Sequence, residues 1–214
     1  MSQISSKSGL AVVLSRLKGF SEPKVREEQY LMDSEIGASV LWNSYLLGDI
    51  KGNIIADLGC GTGILGIGAL LLGAEQVFFI DFYKKALKTA KDNFSKVKSE
   101  GYSLGKVNFR CQEISKLEIK KGIKVDAVIQ NPPFGTKVRH NDIFFLEKAL
   151  EIAPVVYSFH KSESKGFLEL FSAKKNAKIT HVWDFKLPLK ASFAFHRRQI
   201  HRIDVSCFRF QIKE

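Results

Sequence analysis

The run ADLGCGTGILGIGA, Ala56 to Ala69, overlaps a short apolar stretch, Ile54 to Leu58, and leads into a longer one, Ile64 to Leu72. The first has the length of a strand and the second that of a helix. Between them stand Gly59, Gly61 and Gly63, with Asp57 two residues ahead of the first. Glycine reaches positive φ without steric cost and lets a ligand approach the backbone closely. The start of the following helix can receive anionic or polar groups. A glycine motif carries meaning in this context of strand before and helix after.

Working outward, strand-like and helix-like runs alternate. Gln76 to Asp81 reads as a strand. Tyr83 to Lys98 reads as an amphipathic helix, with Ala86, Leu87, Ala90 and Phe94 on one face. Val107 to Cys111 and Val125 to Gln130 are further strands; Asp142 to Ala153 is a helix and Val155 to Phe159 a strand. Ser162 to Ala173 reads as a helix with Ser162 as its N-cap. The alternation predicts an α/β fold, a mostly parallel sheet with helices on both faces. The end breaks the pattern. Ala177 to Leu187 and Gln199 to Ile212 are strand-like with no helix between them, which predicts an antiparallel pair. The first fifty residues read as helices ahead of the sheet. With no repeat, linker or low-complexity tract, residues 1–214 are expected to form one domain: a helical segment, 1–50, packed on a core, 51–214.

Composition fits an ordinary globular protein of 214 residues, 45% hydrophobic and 26% charged. No apolar run approaches the roughly 18 residues of a membrane helix, so no membrane association is expected. Leu10 to Leu14 reads as part of a short amphipathic helix rather than a signal peptide. Cys60, Cys111 and Cys207 are far apart, with neither a disulfide framework nor metal-ligand spacing, so no metal is expected. That usage fits a reducing cytoplasm. The 33 Lys+Arg against 22 Asp+Glu give +11, a balance that attracts polyanions, nucleic acid first.

The spacing DxGxGxG resembles motif I of the S-adenosylmethionine-dependent methyltransferases, whose loop holds the amino acid end of the cofactor. Asp81 closes the next strand, about 20 residues on, where a carboxylate can accept both ribose hydroxyls. In similar enzymes an acidic residue after the third strand accepts from the adenine amino group; here Gln112 stands in that place, within CQEIS.

IQNPPFGTK, Ile129 to Lys137, follows the fourth strand. Two prolines end a strand and hold an extended loop rigid. Asn131, Pro132, Pro133 and Phe134 match the [DNS]-P-P-[YFW] pattern of methyltransferases acting on nitrogen beside a planar π system. Such an amine is a poor nucleophile, because its lone pair is delocalised into the ring. The Asn131 side-chain oxygen and the Pro132 carbonyl can accept its N–H groups and favour a tetrahedral nitrogen. Prolines keep these acceptors in place, and Phe134 can stack on the base.

With EEQY (Glu27 to Tyr30), VYSFHKS (Val156 to Ser162) and LPLKASFAFHRRQIHRIDVSCFRF added, the whole chain resembles a narrower family. This is the small archaeal and eukaryotic N6-adenosine methyltransferases of small-subunit ribosomal RNA, the methyltransferase-like-5 type. The resemblance implies a Rossmann-like class I methyltransferase fold, seven-stranded with its last strand antiparallel. It implies S-adenosylmethionine as cofactor, contacted by Gln29, Tyr30, Asp57, Gly59, Gly61, Gly63, Asp81, Gln112 and Asn131. It also brings a small zinc-binding activator subunit into view, because some eukaryotic relatives need one. The chain departs from the family at Leu31-Met32, where Pro-Thr is usual, at Asp81-Phe82-Tyr83, where Asp-Ile-Asp is usual, and at Gln112.

Lys137, Arg139, His196, Arg197 and Arg198 read as phosphate contacts. Phe193 and Phe195 lie among the basic residues, an interleaving that favours stacking on unpaired RNA bases. The target adenine must leave its stack to reach Asn131. The chemistry needs no strong base, so His160 reads as a structural hydrogen-bonder at a strand end. Two alternatives stay open: another planar amine as substrate (guanine N2, DNA adenine or a glutamine amide), or a non-catalytic RNA-binding assembly factor.

Overall fold

A computed structural model describes residues 4–20, 32–117, 124–134, 141–189 and 201–213. Two helices come first, α1 (Lys7–Ser15) and α2 (Ser34–Leu46). Ser6 caps α1 by accepting from Gly9 N, and Asp33 caps α2 by accepting from Glu35 N and Ile36 N. Then follow β1 (Ile54–Leu58), α3 (Ile64–Leu71), β2 (Gln76–Asp81), α4 (Lys84–Ser99), β3 (Lys106–Cys111) and β4 (Ala127–Gln130). The chain continues through α5 (Asn141–Ile152), β5 (Val155–Lys161), α6 (Lys165–Lys174), β6 (Ala177–Leu189) and β7 (His201–Ile212).

The seven strands lie in the order β3-β2-β1-β4-β5-β7-β6. Pairs from β3 through to β5 are parallel, and β7 runs antiparallel to both β5 and β6. The antiparallel terminal pair is as expected, and β7 enters the sheet between β5 and β6. One face buries Leu58, Phe78, Ile80, Val128, Val156 and Phe208 with Leu146 and Leu150 of α5 and Leu168 of α6. The other buries Ile55, Val77, Phe79, Ile129 and Phe159 beneath Leu10, Leu41, Leu65 and Leu87 of α1 to α4. Coverage of both faces explains why β1, β2 and β4 read as short apolar runs.

A polar tie joins the N-terminal helices to the sheet. Asp49, after α2, accepts from Arg209 Nε at 2.8 Å and from the Tyr157 hydroxyl. Arg209 also donates to Thr180 Oγ1 at 2.8 Å and Gln211 Oε1 at 3.0 Å. Burial, reinforced by the Asp49 charge, lifts the Tyr157 hydroxyl well above its ordinary pKa.

Ser162 does not cap a helix. Ser162–Ser164 form a 3-10 turn and α6 begins at Lys165. The Ser206 hydroxyl of β7 donates to Asp184 Oδ1 and lies 2.8 Å from Ser162 Oγ, whose own hydroxyl donates to it and ties the serine to the sheet. Among the described residues, no helix is long and apolar enough to cross a membrane.

Candidate active site

The strand order reverses between β1 and β4, so the loops leaving their C-terminal ends part and open a crevice. A cleft of about 780 Å³, counting its open mouth, lies there. It is lined by Asp57, Gly59, Gly61, Asp81, Asn131 and Pro133 among the residues picked out from the sequence.

The turn after β1 is pinned to the neighbouring strand. Gly59 N and Cys60 N both donate to Ile80 O, at 2.8 and 3.0 Å. Gly59, Gly61 and Gly63 have φ of +67°, +52° and +85°, values that favour glycine. A Cβ on Gly61 would stand 2.8 Å from the Phe20 ring, so the turn has no room for a side chain there. Gly63 forms the N-cap of α3, against Ala90 of α4, and is not part of the cleft wall.

Asp81 grips the turn from β2. Its Oδ2 accepts from Gly61 N and its Oδ1 from Tyr83 N, both at 2.8 Å. A carboxylate oxygen has capacity for more than one donor, so these bonds are compatible with further hydroxyl donors. Asp57 lies deeper and accepts from Gly66 N at 2.8 Å. Burial pushes its carboxyl up to about 7, against the Gly66 hydrogen bond and with the help of the Asp81 charge. The wall therefore joins two acids and a bare backbone to an apolar slab that includes Phe82 and Ile114. That donor set fits a nucleoside carrying an amino acid.

On the catalytic loop, Asn131 and Pro133 face the cleft, whereas Pro132 is buried. Phe134 belongs to the core cluster with Ile129 and Tyr157 and is only 8% exposed. Gln112 does not line the cleft; its side-chain amide donates to Lys116 O, and Ile114 reaches the wall instead. Gln29, Tyr30, Lys137, Arg139, Phe193, Phe195, His196, Arg197 and Arg198 lie outside the described residues.

The sequence reading missed Phe20, Met32, Ile114 and Phe145 as cleft walls. Met32 did carry a signal, as part of the Leu31-Met32 departure. Phe145 carried none, because one aromatic on an amphipathic helix reads as core.

Residues 43–131 match the family model described as ribosomal protein L11 methyltransferase (PrmA). The rRNA N(6)-adenosine-methyltransferase METTL5 of Danio rerio is 32% identical over 202 residues, 92% of this chain and 94% of that protein. The chain belongs to the METTL5 family. An uncharacterized protein of Methanocaldococcus jannaschii is 34% identical, across 96% of this chain and 94% of its own length. A solved structure from Pyrococcus horikoshii, proposed to be an RNA methyltransferase, is 40% identical with a TM-score of 0.86, covering 98% of this chain and 99% of that one. As a METTL5-family member the chain is an S-adenosylmethionine-dependent methyltransferase, with the seven-stranded sheet expected from its motifs.

Proposed function

We propose that this chain methylates N6 of an adenosine in small-subunit ribosomal RNA. The observation that carries the reading is a shared cleft: Asn131 and Pro133 open onto the same space as Asp57, Gly61 and Asp81. S-adenosylmethionine supplies an electrophilic methyl group when bound. Asp81 is assigned to its ribose hydroxyls, and the Gly59–Gly61 turn with Asp57 to its amino acid end. Gln29 and Tyr30 complete the proposed cofactor set, whereas Gly63 and Gln112, which stand outside the cleft, drop out of it.

Asn131 Oδ1 and the Pro132 carbonyl accept the two hydrogens of the adenine N6 amine. Holding both in fixed positions localises the nitrogen lone pair before reaction, at no reorganisation cost. Stacking on Phe134 belongs to the proposal only if the side chain, buried in the core cluster here, turns out toward the base. The RNA approaches on Lys137, Arg139, Phe193, Phe195, His196, Arg197 and Arg198. We read residues 1–214 as one domain acting in the cytoplasm. The reading admits a small zinc-binding activator that adds a strand at a sheet edge; the described edges are β3 and β6.

The test is methyl transfer from labelled S-adenosylmethionine to undermethylated small-subunit rRNA, with nucleoside analysis. N6-methyladenosine is expected. In Asn131→Ala it should fall by about a hundredfold or more, while cofactor affinity stays within a few-fold. Label on another nucleoside would discard the adenine assignment, and full activity in Asn131→Ala would discard the proposed chemistry.

A further inference from the structure

A chain of hydrogen-bonded side chains runs from the end of β4 to the start of α5, on residues to which no part in the reaction has been assigned. Gln130, the last residue of β4, donates through Nε2 to Ser158 Oγ at 2.9 Å. Ser158 Oγ lies 2.7 Å from His160 Nε2, and His160 Nδ1 lies 3.1 Å from Asp142 Oδ2. Gln130, Ser158 and His160 have no exposed surface. One proton arrangement satisfies every link. Ser158 donates its hydroxyl to Nε2, and neutral His160 donates its Nδ1–H to an ionised Asp142. Burial opposes that ionisation, but the hydrogen bond from His160, with those from the Ile143 and Asp142 backbone, outweighs it and holds the Asp142 carboxyl below its usual range.

The placement of the four residues is informative. Gln130 and Ser158 are register partners across β4 and β5. There β4 stops, while β5 continues to His160 and Lys161. The chain leaves β4 through Asn131 and returns in α5, whose second residue is Asp142. The ten residues 131–140 thus begin beside a link to Ser158 and end beside a link to His160. Both links are on one strand, two residues apart. Apolar side chains would fill the same space but would fix neither end in direction. The links from Gln130 Nε2 through Ser158 and His160 to Asp142 are each made and favour one arrangement, while Gln130 Oε1 is buried without a hydrogen-bond partner among the described residues.

We propose that Ser158, His160 and Asp142 are positioning residues, which set the catalytic loop by tying its two ends to β5. The inference rests on the assignment of Asn131 to the reacting amine. None of the three touches substrate. They act through Gln130 and the start of α5, in the way that supporting shells hold a site to within a fraction of an ångström.

The experiment compares Asp142→Ala with Asp142→Asn in the full chain. The alanine removes the acceptor of Nδ1–H, and the asparagine keeps an oxygen for it. Expected for Asp142→Ala is a fall in kcat of about tenfold or more. The KM for rRNA and the Kd for S-adenosylmethionine should stay within about twofold, since uniform binding is untouched. Amide hydrogen exchange in the peptide spanning Gln130 to Phe134 should quicken. Asp142→Asn should recover most of kcat and the slow exchange. Unchanged exchange in Asp142→Ala overturns the proposal whatever the kinetics. So does faster exchange with unchanged kcat, a matching loss of cofactor affinity, or an asparagine variant as impaired as the alanine one. If the wild type methylates no RNA adenosine, the function reading fails by itself, and the exchange measurement still decides this one.

Discussion

Asp57 Oδ2 and the Gly66 amide are 2.8 Å apart, and a Cβ on Gly66 would come within 2.9 Å of the same oxygen. The carboxylate belongs to the last residue but one of β1; the glycine is the third residue of α3. One of the unsatisfied N–H groups at a helix start is thus met by a strand-end acid. The same Cβ would lie 2.4 Å from the Phe79 ring, so this glycine is required by space and not by φ.

That buried acid makes stability depend on pH. Burial lifts Asp57 to about 7 in the folded chain, whereas an exposed aspartate titrates near 3.9. Between those values the folded state holds a proton that the unfolded state has lost. Stability therefore falls as pH rises from about 4 to 7, by at most about 1.4 kcal/mol per unit for this group. Urea unfolding of wild type and Asp57→Asn at pH 5 and pH 8 reads the effect. The variant should lose less stability between the two; an identical loss would show that Asp57 is already ionised at pH 5.

The Gly61 turn should tolerate no side chain. Gly61→Ala sets a methyl group against Phe20 at a φ of +52°. The left-handed conformation alone costs roughly 1–2 kcal/mol. Titration calorimetry should show S-adenosylmethionine affinity lowered by about tenfold or more, the conversion of 1.4 kcal/mol. Undiminished binding would mean that the turn is no cofactor cradle.

Asp49→Ala strands Arg209, which is 8% exposed, without its carboxylate. Losing one partner of a buried pair costs roughly 3–5 kcal/mol. The Asp49→Ala, Arg209→Met double variant should be more stable than Asp49→Ala alone, because no uncompensated charge remains. Denaturant midpoints for the two single variants and the double variant give the coupling. Additive losses would demote the pair to an incidental surface contact.

The sheet was legible because its two covered faces make the central strands β1, β2 and β4 short apolar runs, and because Asp57, Gly59 and Gly61 keep their spacing whatever surrounds them. The alternation from β1 to α6 came through with small shifts, such as α4 starting at Lys84 rather than Tyr83. Asp81 was legible by its distance from the glycines. What local pattern cannot encode is convergence. Phe20, Met32, Ile114 and Phe145 meet at one cleft from four separate segments, and each alone is an ordinary apolar residue. The hydrogen-bond chain from Gln130 to Asp142 was equally hidden, because VYSFHKS shows Ser158 and His160 on a strand but not what they face. Ser162 misled for a related reason: a hydroxyl on β7, distant in sequence, competes for it.

The place of β7 inside the sheet has a consequence for the nascent chain. During synthesis the strands from β1 to β5 can pair as they emerge, since each finds its neighbour already made. β6 then emerges without a partner, because the strand separating it from β5 has not yet been translated. Until residues through Ile212 have left the ribosome, the β5 edge bearing Tyr157, Ser158 and His160 stays unpaired. Translation order thus makes the closing of the sheet the last event, and the strand under the catalytic loop one of the last to be enclosed.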